Sequence, residues 1–163
     1  VTTSRVPAVL DYLVATFTAS ANLGASTTAP VTVYDGPPTT ALNAPLSLYV
    51  GLTDPDSEGG EVAADTAQAW AALGHQARNE QITVHCVAEA WSGSDDIRTV
   101  RLAAYSITSA VEDIVRNDSS LGGTVSTPGN AAVTAMTLAQ NNTDRGAIAR
   151  ISFEITAQAR IGG

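Results

Sequence analysis

The densest run of potential ligands in this 163-residue chain is Asp54-Pro55-Asp56-Ser57-Glu58-Gly59-Gly60-Glu61. Asp54, Asp56, Glu58, Gly59 and Asp65 fall at positions 1, 3, 5, 6 and 12 of an EF-hand loop, the spacing that wraps carboxylate oxygens around calcium. The match breaks at Gly60 and Glu61, which stand where such a loop leads into its apolar eighth position, and strand patterns rather than helices flank the run. It therefore reads as a solvated, flexible acidic loop, with a cation site or a charged protein contact as the alternatives.

Other chemistry is sparse. His85 and Cys86 are adjacent in a predicted strand and so point to opposite faces, which separates them as metal ligands or as a thiol–imidazole pair. Cys86 falls on the apolar face and reads as a small buried hydrophobe; as the lone cysteine it has no internal disulfide partner. His75 sits in a predicted turn, exposed to solvent. The carboxylate pairs Asp95-Asp96 and Glu112-Asp113 suit helix electrostatics, with Glu112 and Arg116 forming an exposed pair four residues apart. All eight basic residues are arginine, so a conventional phosphate-binding loop or a Schiff base has no lysine to use. There is no Gly-x-Ser-x-Gly elbow, and Ser92-Gly93-Ser94 resembles a helix cap. The expectation is a protein that is not an enzyme, with no catalytic, cofactor-binding or metal-ligating set.

The elements around these residues are clearer. Ile82, Val84, Cys86, Ala88 and Ala90 alternate with Thr83, His85, Val87, Glu89 and Trp91, which predicts a half-buried strand. Ile97, Val100, Ala104, Ile107, Val111 and Ile114 follow in steps of three and four, predicting a long helix with one apolar stripe, capped by Ser94 and stopped at Leu121-Gly122-Gly123. Val6, Leu10, Leu13, Val14 and Phe17 predict a second helix, capped by Thr3 or Ser4, with Pro7 in its first turn. Further strands are expected at 31–35, at 46–53 and in two hairpins, 66–73 with 81–91 and 131–140 with 147–161; 63–73 also fits a helix, and 124–126 a short strand. The last strand alternates most cleanly, with Ala149, Ile151, Phe153, Ile155, Ala157, Ala159 and Ile161 on one face. It is longer than usual, so its outer end is expected to project past the sheet or to pair with another chain. The fold class is α+β: a mixed, mainly antiparallel sheet with the long helix and the N-terminal helix packed on one face.

Length sets a single domain over 1–163. The net charge of −8, from 16 acidic and 8 basic residues, argues against holding nucleic acid by its phosphates. No apolar run approaches the roughly 20 residues that span a membrane, so the chain reads as soluble, without a secretion signal.

Several segments, in order, resemble the tail terminator proteins of long-tailed (siphovirus-type) bacteriophages, especially those of actinobacterial hosts. They are Leu48-Tyr49-Val50-Gly51-Leu52 leading into Asp54 to Gly59; Ala69-Trp70-Ala71-Ala72-Leu73-Gly74 through Arg78-Asn79-Glu80; Arg101-Leu102-Ala103-Ala104-Tyr105 through Val111-Glu112-Asp113 and Leu121-Gly122-Gly123; and Thr143 to Ala147 through the final strand. The resemblance spans about three-quarters of the chain and departs from the family in the N-terminal third.

The resemblance implies a mixed sheet flanked by helices and a six-fold ring, a hexamer located in the virion at the head-proximal end of the tail and assembled in the host cytoplasm. Such a ring caps the tail tube, stops polymerisation of the tube protein and offers the head-completion or connector protein its attachment surface. DNA passes through the lumen without specific binding. On that reading Arg98, Arg101, Arg145, Asp54, Asp56, Glu58 and Glu61 are the candidates for charged contacts between subunits or layers, and the 54–61 and 36–44 loops for docking. Other classes consistent with the sequence are another virion ring component, either a tail tube subunit or a head-completion protein, and a small cytosolic binding domain.

Overall fold

The structure, a computed structural model, describes residues 2–38, 44–56, 60–71, 76–125 and 130–162. Its elements are α1 (Val6–Ala19), β1 (Thr32–Asp35), β2 (Leu46–Val50), β3 (Ala64–Trp70), β4 (Arg78–Ser92), α2 (Ile97–Asn117), β5 (Ala132–Thr143) and β6 (Gly146–Ile161). The strands form one six-stranded sheet in the order β1-β2-β4-β6-β5, with β3 paired to β4 on the edge that β2 also uses. Only β1 and β2 run parallel; the other pairings are antiparallel.

Alternation decides which face is covered. Ile82, Val84, Cys86, Ala88 and Ala90 of β4 and Ala149, Ile151, Phe153, Ile155, Ala157 and Ala159 of β6 are buried in one core with Val9, Leu13 and Phe17 of α1 and Val100, Ala104, Ile107, Val111 and Val115 of α2. Both helices therefore lie on the same face, α2 over β4, β5 and β6 and α1 beside β1 and β2. This is the expected α+β arrangement. Residues 64–70 form a strand, which resolves the helix alternative for this alanine-rich segment. Thr124 and Val125 lie in a turn rather than a strand, and Ser126 falls outside the described residues.

β2 ends three residues short of its expected boundary because the chain turns at Gly51, whose φ of +81° favours glycine. The amides of Gly51 and Leu52 both donate to the His85 carbonyl, at 2.8 and 3.1 Å. Two residues thus oppose one, as in a bulge, and the alternation shifts by one. Leu52, in phase with Leu48 and Val50 by sequence, packs instead with Tyr49 and Val87 on the face away from the helices.

The helix ends differ in detail from their sequence signals. Asp96, not Ser94, caps α2, accepting a hydrogen bond from the Thr99 amide. Asp118 closes its other end, accepting from Ser120, the Gly122 amide and the Tyr12 hydroxyl. The expected Glu112–Arg116 pair forms on its exposed side. At α1 the cap residue is Arg5, with no side-chain cap of its own. The Ser4 hydroxyl accepts from the Val6 amide and donates to Glu80 of β4, whose carboxylate also accepts from the Arg5 amide at 2.8 Å and from Gln68 of β3. Glu80 is 1% exposed, so a buried carboxylate sits against the positive end of α1.

Phe153, 2% exposed, lies in the core beneath the helices. Phe153→Ala is expected to cost about 3–5 kcal/mol, read as a lower urea midpoint with an unchanged slope. Hydrogen bonds from the Ser120 hydroxyl and the Gly122 amide hold Asp118 below the usual carboxylate range, and those from Thr99 do the same for Asp96. A carboxylate depressed in the folded state contributes stability above its ordinary value of about 3.9, and that contribution is lost as pH falls through the folded value. Asp118→Asn should lower the melting temperature at neutral pH and flatten the acid limb of the melting profile below about pH 4.

Candidate assembly surfaces

The face of the sheet opposite the helices carries the polar half of each alternation. Pairing places side chains in rows across it: Asn141, Ile148 and Trp91; then Ala139, Arg150, Glu89 and Ser47; then Thr137, Ser152, Val87, Tyr49 and Tyr34; then Thr134, Glu154 and His85. Tyr34 and Tyr49 stack with ring centroids 4.9 Å apart, and Leu52 and Val87 pack beside Tyr49. Burial and the neighbouring Glu89 charge push the Tyr49 hydroxyl up to about 12. Cys86, facing the opposite way into the helix-side core, is also pushed up to about 12 by burial, so its thiol is unreactive in the folded protein.

Arg150 organises the centre of this face. Its Nε donates to Glu89 at 2.5 Å, and Nη1 and Nη2 reach the two carboxylate oxygens of Asp56 at 2.5 and 3.2 Å. Burial works against the guanidinium charge, but the hydrogen bonds to Asp56 and Glu89 outweigh it and raise the arginine above its ordinary value. The fork of donors ties the segment after β2 down onto the sheet. The carboxylate of Glu61 closes that segment from its other end, accepting from the Thr53 hydroxyl and from the amides of Thr53 and Asp54, while Asp54 accepts from the Asp56 amide.

His85 marks the seam between β2 and β3. Its carbonyl holds Gly51 and Leu52, and its amide donates to the Ala63 carbonyl at 3.0 Å. Its ring lies between Asp65 of β3, 2.7 Å from Nε2, and Glu154 of β6, 3.8 Å from Nδ1. The described acidic side chains of an EF-hand reading thus go to separate partners: Asp56 to Arg150, Asp54 to its own turn, and Asp65 to His85. Among the described residues no group of three histidine, cysteine or acidic side chains converges as a metal site.

The charged contact candidates fall into two sets. Arg98 and Arg101 lie on the first turns of α2, and Arg145 on the tight turn joining β5 to β6. These neighbour one another, since Arg101 donates to Gln140 and Asn142 to the Asp95 carbonyl. Arg98 and Arg145 are exposed. Asp54, Asp56 and Glu61 belong to the segment on the opposite face, exposed at Asp54 and Asp56 but already engaged within the chain. Glu58, His75 and residues 39–43 of the other proposed docking loop lie outside the described residues. Arg150, Tyr34, Tyr49 and the Glu80 anchor carry no local signal in the sequence, because their partners are brought in by strand pairing from distant segments.

The sheet also leaves edges unpaired. β5 stops opposite Thr156 and β2 opposite Cys86, so beyond those rows the sheet narrows to a three-stranded arm of β3, β4 and β6. Among the described residues no strand pairs with the outer side of β3 or with Ala157–Ile161 of β6 on the side away from β4. At the end of β3, Trp70 is 71% exposed. A shallow trough of about 560 Å³ runs along the arm beside Ala67, Gln81 and Gln158. No helix among the described residues is long and apolar enough to cross a membrane.

The chain matches no protein-family profile and no curated protein.

Arg150→Ala should release the segment around Asp56 and leave Glu89 unpaired, at a cost of about 2 kcal/mol. Hydrogen exchange at residues 52–56 should quicken while that of the β4–β6 core pairs, measured in the same experiment, stays slow.

Proposed function

We propose that this chain is a structural component of a phage virion: a tail terminator that assembles as a six-fold ring, caps the tail tube, stops its growth and presents the surface to which the head-completion protein attaches. The observation that carries the reading is the sheet's unclosed perimeter. One face is sealed by both helices, whereas among the described residues no strand pairs with the outer side of β3 or with the end of β6 on the side away from β4, and such edges are templates for pairing with another chain. The order of the segments that resemble tail terminators supports it. So does the separation of Arg98, Arg101 and Arg145 from the acidic segment on the opposite face, because a head-to-tail ring brings two different surfaces of successive copies together. A net charge of −8 suits a lumen through which DNA slides without being held.

The mechanism is steric. The ring matches one more tube layer on one side and presents a different surface on the other, so the next tube layer finds no partner. DNA needs no specific site, and none of the residues acts as a catalyst.

Light scattering of the purified protein, followed by negative-stain imaging with purified tube protein, tests the reading. Rings that bind only at tube ends and halt lengthening are expected. A protein that stays monomeric and ignores tube ends overturns the reading, and one that grows into filaments by itself is a tube subunit instead. The triple variant R98E/R101E/R145E should remain folded and lose most end-capping, and end-capping by the wild type should itself weaken as salt is raised, since exposed charge contacts are screened.

A further inference from the structure

The sheet's free edges are not equivalent. β1 is only four residues long and ends in Asp35. β5 is interrupted by a bulge between Thr134 and Thr137, where Ala135 takes a φ of +49°. Short length and bulges are the devices by which sheets discourage pairing with other chains. β3 is neither short nor bulged: its seven residues, Ala-Asp-Thr-Ala-Gln-Ala-Trp, contain no proline or lysine, its one charged side chain, Asp65, is engaged by His85 within the chain, and from Asp65 onward all are exposed. Ala157–Ile161 of β6 likewise runs straight, in unbroken register with β4. These two unblunted edges are the opposite sides of the same three-stranded arm. Trp70, the most exposed large hydrophobic side chain among the described residues, stands at the end of one of them.

We infer that the outer edge of β3 in one copy of this chain pairs with the outer edge of Ala157–Ile161 of β6 in the next copy, joining the arms into one continuous sheet around the ring. The inference rests on the ring reading and names its contact. Polarity follows from the topology. β3 and β6 are each antiparallel to β4, so they run in the same direction. Rotation about a ring axis preserves strand direction along that axis, and the junction between copies is therefore parallel. A two-fold dimer would instead pair β3 with β3, antiparallel. The junction is heterologous, so it propagates from copy to copy and ends only when the ring closes. Backbone bonds supply the attraction, as in strand addition to a sheet edge. The face of the arm opposite the helices, with Asn79, Gln81, Thr83, Thr156 and Gln158 between Asp65 and Arg160, then becomes a continuous band in which uncharged polar side chains outnumber charged ones.

Cysteine pairs test this directly, because adjacent strands hold Cα atoms within disulfide range and the native Cys86 is buried and silent. Ala67 and Ala69 of β3 and Gln158 and Arg160 of β6 point to the same face, so the four double variants A67C/Q158C, A67C/R160C, A69C/Q158C and A69C/R160C sample the possible registers. Each is oxidised mildly with and without tube protein, beside its parent single variants, with circular dichroism to verify folding. The expected result is loss of the monomer band and a ladder of covalent multimers in at least one double variant, while the single variants stay monomeric. Rings seen by light scattering and imaging with no ladder in any folded double variant overturn the edge pairing and leave the ring reading standing. Disulfide dimers from A67C or A69C alone overturn it in favour of a two-fold contact, and neither rings nor ladders in the presence of tube ends overturns both.

Discussion

Everything in this structure depends on the in-register pairing of β4 with β6 along all 15 residues of β4. Both strands alternate, apart from Val87, Trp91 and Ile148 on the face away from the helices, and the register brings the apolar half of each to the same side. A slip of one residue in either strand would carry Arg150, Glu154 or Glu89 under the helices and push Phe153 or Cys86 toward water. The register thus sets where α1 and α2 can bury their stripes. The tight turn that returns β5 into β6 supports it at one end: Gly146 takes a φ of +123°, and a Cβ there would lie 2.0 Å from the Ser92 carbonyl oxygen.

The two faces have divergent consequences. Under the helices the core is apolar and closed. On the opposite face, charged side chains are partly buried and must find partners, and they find them across strands: Arg150 with Glu89 and Asp56, His85 with Asp65 and Glu154. These interactions hold the acidic segment after β2 against the sheet. The bulge at Gly51 makes the arrangement possible, since it turns Leu52 into the cluster with Tyr49 and Val87 and lets β3 take over the edge of β4 that β2 has left.

The arm beyond β2 and β5 is anchored midway along its length by Glu80. Its buried carboxylate receives donors from Ser4, Arg5 and Gln68, which links β3 and β4 to the positive end of α1. The anchoring ties the arm to the helical layer and leaves its outer edges available. An assembly through those edges would read out backbone geometry more than side-chain identity. Surface sequence could then vary widely without loss of such pairing, provided the edges stay straight and unblunted.

Period and composition were enough to determine most elements of this chain, but they left 64–70 open between strand and helix and suggested a strand at Thr124 and Val125, where the chain turns. The alternation of 82–90 and of 149–161 and the stripe of α2 set the strand faces, the apolar side of the helix and the α+β class, because burial of one face is a local, periodic property of sequence. Boundaries at 46–53 and the caps of α1 and α2 were only partly legible. Gly51 breaks the strand through its backbone conformation, and the carboxylate that caps α1 lies 75 residues away in β4. Tertiary structure alone decided that β2 and β3 share one edge of β4, that Arg150 meets Asp56 across 94 residues, and that the blunted and unblunted edges lie where they do. Pairing between distant strands is selected by the summed burial and backbone bonding of the whole sheet, and no local window of sequence contains that sum.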